Sequence, residues 1–212
     1  MYRSVRTVGR ILRRRPGLVG VYLLYFGANV LLYTIIVYYP QLLETIGVTS
    51  ALGISLYLAA SGAAGGISGA LYGRLVIRAT RMQLVTIAFL LWSVAFGMIT
   101  LIDTPVAAAP PVFLFGLGIG LVFPSTFAWV EALAPQDRQG QFSSYIASFG
   151  YTGQFLSPLL FGPLVCILGV RGAFGAAGVT TGWLRSDWSE RTFGPAIEIG
   201  RMFVVGLESL IK

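Results

Sequence analysis

The chain has 212 residues, of which 56% are hydrophobic and 11% charged, with a mean hydropathy of +0.78. So few charges cannot cover a water-exposed globule of this size, which excludes a soluble domain and places the chain in a membrane. The net charge of +7 is a matter of topology rather than a nucleic-acid footprint: six of the fifteen basic residues lie in the first fifteen positions and three more sit between two apolar segments.

Taken in order, residues 1–16 form a basic arm (Arg3, Arg6, Arg10, Arg13, Arg14, Arg15) closed by Pro16. The stretch that follows carries no charge as far as Leu43. That is far longer than the roughly 7–15 apolar residues of a signal peptide, so 18–43 is expected to be span one. A short connection without a basic residue leads to span two at 51–72. Residues 73–81 hold Arg74, Arg78 and Arg81 and read as a tight hinge. Span three is expected at 82–102 and, after the turn Asp103-Thr104-Pro105, span four at 106–130, with Pro110, Pro111 and Pro124 inside it. Glu131, Asp137 and Arg138 lie in the next connection, and 141–168 is span five. A sixth segment, 172–184, is uncharged but short of the roughly 20 residues a helix needs to cross. The expected fold is an all-α polytopic transmembrane helical bundle over 17–184, with five full spans and a short or irregular sixth. Residues 185–212 form a tail in which 196–212 has the pattern of an interfacial amphipathic helix.

With the basic arm in the cytoplasm, the inner connections carry Arg74, Arg78, Arg81 and Arg138, and the outer turns carry only Arg171. That satisfies the positive-inside rule everywhere but at Arg171, and gives a multi-pass protein, expected in the cell membrane, with a cytoplasmic N-terminus.

The basic hinge resembles the signature loop of the major facilitator superfamily, Gly-x-Leu-x-Asp-Arg-x-Gly-Arg-Arg. Gly73, Leu75, Arg78 and Arg81 match it; Ile77 stands in place of the aspartate, Thr80 in place of the second glycine and Met82 in place of the last basic residue. Such erosion is similar to the looser second copy in that family. Pro135-Gln136-Asp137-Arg138-Gln139-Gly140 resembles the connection after the tenth helix, and Gly116-Leu117-Gly118-Ile119-Gly120 the glycine-rich helix before it. The resemblance implies half of a major-facilitator fold, helices seven to eleven and part of twelve. It also implies secondary transport of a small solute by alternating access, with an N-terminal half or self-association as the missing partner. The alternative is a non-transporting remnant or a membrane packing partner.

Several side-chain patterns carry the functional expectations. Gly62, Gly65, Gly66, Gly69 and Gly73 form overlapping Gly-x-x-x-Gly pairs that suit close helix packing. Tyr22, Tyr25, Asn29 and Tyr33 recur on one face of span one, with Asn29 near mid-membrane. Asn29 is expected either to line a watery path or to bond a neighbouring helix. Ser144, Ser148 and Tyr151 repeat the pattern on one face of span five, with Gln154 at its edge. Tyr25, Asn29, Tyr33, Ser148, Tyr151 and Gln154 are thus the candidate lining of a solute path, and Glu131 with Arg74 a candidate gating pair. No carboxylate falls in the middle of a span, and the chain has no histidine, one cysteine (Cys166) and no phosphate-binding loop. Neither an enzyme nor a cofactor, metal or nucleic-acid partner is expected; the expected partners are a small solute and the bilayer.

Overall fold

The computed structural model describes residues 16–186, and these form five helices long and apolar enough to cross a membrane, without a strand among the described residues. They are α1 (Pro16–Thr45), α2 (Ala51–Arg78), α3 (Arg81–Ile99), α4 (Pro105–Leu133) and α5 (Gln139–Ser186), with a 3-10 turn at Gln136–Arg138. The basic arm and the tail beyond Ser186, including the expected amphipathic helix, lie outside the described residues.

Local chemistry starts and stops each helix. α1 ends in a glycine cap: Gly47 takes φ 93°, its N–H donates to the Glu44 carbonyl, and the Val48 N–H donates to the Leu43 carbonyl. Ser50 caps α2 by accepting from the Gly53 N–H at 3.1 Å. Thr80 and Gln83 exchange hydrogen bonds in a capping box that opens α3. Thr104 caps α4, with Pro105 at the first helical position.

The basic connection is shorter than its sequence suggests. Helix α2 runs on through Gly73 to Arg78, so only Ala79 and Thr80 join it to α3. Arginine and leucine are good helix formers, and nothing before Thr80 stops the helix. The signature loop is therefore mostly helical. We call this end of the bundle the arginine end.

Helix α5 breaks at Gly169, whose φ of 71° and ψ of 171° fall in a region that only glycine occupies at low cost. The limbs on either side, 139–168 and 170–186, run in opposite directions. Along the first, Phe142 meets Tyr22, Gly153 meets Asn29, and Gly162 meets Tyr38. Both sets of numbers rise together, so this limb is parallel to α1. Along the second, Gly175 meets Thr100, Phe174 meets Phe96, and Gly182 meets Ser93, which makes it antiparallel to α3. The short sixth pass expected from the sequence is this second limb.

Two parallel pairs hold the bundle together. One is α1 with the first limb of α5, and the other is α2 with α4. Helix α3 packs behind them against α4 and the second limb. There Trp92, fully buried, donates its indole N–H to the Phe115 carbonyl at 2.8 Å and stacks on the Phe115 ring. Gly118 leaves the room that this indole occupies. Phe89, Phe96 and Phe174 complete the aromatic core.

The glycines of α2 separate into two sets. Gly65 and Gly69 face the Gly116 and Gly120 backbone of α4, while Gly62, Gly66 and Gly73 meet nothing within 4 Å. The face against α4 is centred on Ser61, Ala64, Gly65 and Ser68, which leaves the other three glycines about a third of a turn or more round the helix. Close packing therefore uses part of the expected stripe.

Candidate functional site

The polar residues of α1 and α5 meet at one place. Asn29, 1% exposed, donates from Nδ2 to the Tyr25 carbonyl at 2.8 Å and accepts at Oδ1 from the Gln154 amide at 2.9 Å. One turn on, the Ser157 hydroxyl donates to the Val30 carbonyl at 2.8 Å, and Thr34 Oγ1 lies 3.2 Å from Ser157 Oγ. Tyr22 donates to the Phe142 carbonyl, and Tyr38 to that of Pro158. These bonds run the length of the contact. Polar groups in an apolar medium need internal partners, and each helix supplies the other's. Gly153 lets the backbones approach, since a Cβ there would sit 2.5 Å from the Phe26 carbonyl oxygen, and Gly150 leaves room for the Tyr25 ring.

The remaining candidates do not converge on this seam. Ser144, Ser148 and Tyr151 lie on the side of the limb opposite Phe142, Ile146, Gly150 and Ser157, which are the residues turned to α1. Tyr151 is 70% exposed, and the Ser148 hydroxyl bonds back to the Ser144 carbonyl of its own helix. Tyr33 is half-buried on α1, beside the seam rather than in it.

A second face, formed by α1 and α4, was not singled out from the sequence. The Tyr25 ring makes edge contacts with Phe123 and Phe127, tying α1 to α4. On α4, Phe113 and Phe127 are exposed, and on α1, Phe26, Tyr33 and Val37 are half-buried. The signal was present as Phe113, Leu117, Pro124, Phe127 and Glu131 at helical spacing. It was hidden because α4 is apolar all round, so no polar face marks the lining.

Glu131 stands near the end of α4 and Arg74 near the end of α2. Both are exposed, and neither takes part in an ion pair among the described residues. Arg74 lies half a turn round α2 from Gly65, hence on the side away from α4 and from Glu131. The Glu131 backbone carbonyl instead accepts from the Gln139 amide at 3.1 Å. Of the signature residues, Gly73 is open, Leu75 and Arg78 are exposed, and Arg81 opens α3. Arg138 pairs with its neighbour Asp137 at 3.2 Å. Arg171, the one base on the far side among the described residues, pairs with Asp103 at 2.9 Å and so joins the α3–α4 turn to the second limb of α5. Among the described residues no group of three or more histidine, cysteine or carboxylate side chains gathers to hold a metal.

The described residues therefore offer an uncharged aromatic face on α1 and α4, a polar seam on α1 and α5, and charges only at the two ends of the bundle. No curated protein matches the chain. The family model described as Major Facilitator Superfamily matches residues 2–158, which is most of the chain. The helical bundle, the arginines at the α2–α3 junction and this match agree, and the chain belongs to the major facilitator superfamily of membrane transporters.

Proposed function

We propose that the chain is one half of a secondary transporter that moves a small uncharged solute by alternating access. The observation that carries this reading is the pairing of α1 with the first limb of α5 and of α2 with α4. Each pair joins one of the first three passes to one of the last three. Exchanging the two sets of three turns one pair into the other, and the exchanged helices run in opposite directions. An inverted repeat of this kind, nested in a six-helix half, is a hallmark of alternating-access carriers.

The solute path runs along the face shared by α1 and α4, with Tyr33, Phe113 and Phe127 on its wall and Gln154 at its margin. No Asp, Glu, Lys or Arg lies within the middle of a described span, which favours an uncharged or amphipathic solute over an ion. The arginine end is cytoplasmic on this reading. A complementary six-helix half, or a second copy, supplies the opposite wall.

Transport in sealed vesicles tests the proposal, with the chain alone and then co-expressed with a complementary half, using a panel of uncharged amphipathic solutes. Uptake that depends on the second half, and that falls at least tenfold in Tyr33→Ala or Phe127→Ala, supports it. Absence of uptake with both halves present leaves the non-transporting packing role.

A further inference from the structure

The arginine end of α2 has a surface that solute transport does not use. On the side of α2 turned away from α4, Leu52, Leu56, Ile67 and Leu71 are 74%, 62%, 52% and 43% exposed. They fall in one column along the helix and lead to Arg74 and Arg78, one turn apart on the same side. At 28 residues α2 is about 42 Å long, against roughly 30 Å of hydrocarbon, so a helix that buries this column in lipid brings its last turns out among the headgroups. Both guanidiniums are exposed and neither has an acidic partner among the described residues. Ile77, between them in sequence, is 83% exposed where an acid would neutralise them. An apolar column ending in two uncompensated cations matches, part for part, an acyl chain ending in an anionic headgroup.

We infer that this face of α2 binds an anionic phospholipid, with the phosphate held by Arg74 and Arg78 and an acyl chain lying along Leu71 and Ile67. Guanidiniums suit the site because they bind phosphate oxygens in bidentate fashion and are weakly hydrated. The surface is distinct from the open edge at Gly62, Gly66 and Gly73, which has no side-chain relief and suits a helix rather than a lipid.

The test places a fluorophore at Ala70→Cys, an exposed position one turn before Arg74, in a Cys166→Ser background. The full chain is reconstituted in phosphatidylcholine vesicles that hold a minor fraction of brominated phosphatidylglycerol or, in parallel, of brominated phosphatidylcholine. The anionic quencher should be preferred, each arginine contributing about fivefold at low salt, the equivalent of about 1 kcal/mol near an anionic surface. Arg74→Gln with Arg78→Gln removes the preference, and Arg138→Gln, whose partner is Asp137, leaves it intact. The preference also falls in the unaltered pair as salt rises, a readout that survives if the double variant fails to insert. Equal quenching by the two lipids overturns the inference, as does a preference that persists in the inserted double variant. Inorganic phosphate that abolishes the preference at constant ionic strength overturns it too, in favour of a free anion as the ligand.

Discussion

Replacing Gly120 by alanine puts a methyl carbon 2.1 Å from Ser68 Oγ, 2.3 Å from the Gly65 carbonyl oxygen and 2.5 Å from the Gly69 amide nitrogen. Ordinary contact begins at 3.4 Å. Two of these three atoms are backbone, so a rotamer change cannot relieve the clash and α2 must move off α4 by about 1 Å. A radial gap of that size forfeits a quarter to a half of each dispersion contact along the interface. In lipid, where helix association rests on packing rather than on a hydrophobic drive, little offsets the loss. The expected destabilisation is about 1–3 kcal/mol, the range for forcing an extra methyl into a close-packed core. Gly66→Ala is the matched control: its added Cβ meets nothing within 4 Å, and alanine is the better helix former. Reversible unfolding in mixed micelles, titrated with denaturing detergent, measures both variants. If Gly120→Ala proves as stable as Gly66→Ala, the backbone-to-backbone account of the α2–α4 pair is wrong.

The same titration reads five further substitutions. Asn29→Leu and Gln154→Leu each strand the other's amide between two helices, and their double-mutant cycle should show coupling of about 0.6 kcal/mol and no more than about 1.7; strictly additive effects would mean that the 2.9 Å bond contributes nothing. Gly169→Ala should cost about 1–3 kcal/mol, since its φ of 71° with an extended ψ is a conformation that a Cβ resists. No loss there would show that the limbs reverse at some other residue. Ser125→Ala removes a buried hydroxyl that has no partner, so stability should stay level or rise by about 1 kcal/mol, and a clear loss would reveal a hydrogen bond to that oxygen. Arg171→Gln should change stability by less than about 1 kcal/mol and erase whatever salt dependence the unaltered chain shows at that end, because its pair with Asp103 is exposed to solvent; a larger loss would mean that this contact holds the second limb in place.

Membrane spans were the legible part of the sequence because hydropathy summed over a whole helix overwhelms any single residue. The positions of the first five passes follow directly from charge-free runs. Their ends are less visible. Arg74 and Arg78 look like loop residues by charge, yet a helix that leaves the hydrocarbon has no reason to stop until the chain must turn: Ala79 takes an extended conformation, and Thr80 with Gln83 opens the next helix. Which way a polar face turns was the least legible feature. The Asn29 stripe and the Ser148–Tyr151 stripe have the same spacing, but one packs on a partner helix and the other turns outward. Spacing gives a face, while the choice of neighbour belongs to tertiary packing. Glycines carry part of that missing information: Gly150 and Gly153 mark where α1 sits against α5, and Gly116 and Gly120 mark where α2 sits against α4.

The two parallel pairs also bear on which surfaces are free to move. Sliding the first three passes against the last three would break the Gly65–Gly116 and Gly69–Gly120 approaches together with the Asn29–Gln154 and Val30–Ser157 hydrogen bonds. Every one of these lies within the apolar layer, where water offers no replacement partner. The repeats are therefore interlocked by two chemically different joints, dry glycine packing on one side and a polar seam on the other, and the six passes respond to load as one body. Only 17% of the apolar stretch of α2 is buried, against 61% for α1. On the proposed transport reading, motion then occurs at the Gly62, Gly66 and Gly73 edge of α2 and the outward face of the first limb of α5, between this bundle and its complement, rather than inside it. Locking the seam should leave uptake equal to that of the same protein with the lock open. A disulfide between Cys introduced at Asn29 and Gln154 is the direct form of that experiment, and loss of uptake on oxidation, restored by reduction, would place the moving joint inside the bundle instead.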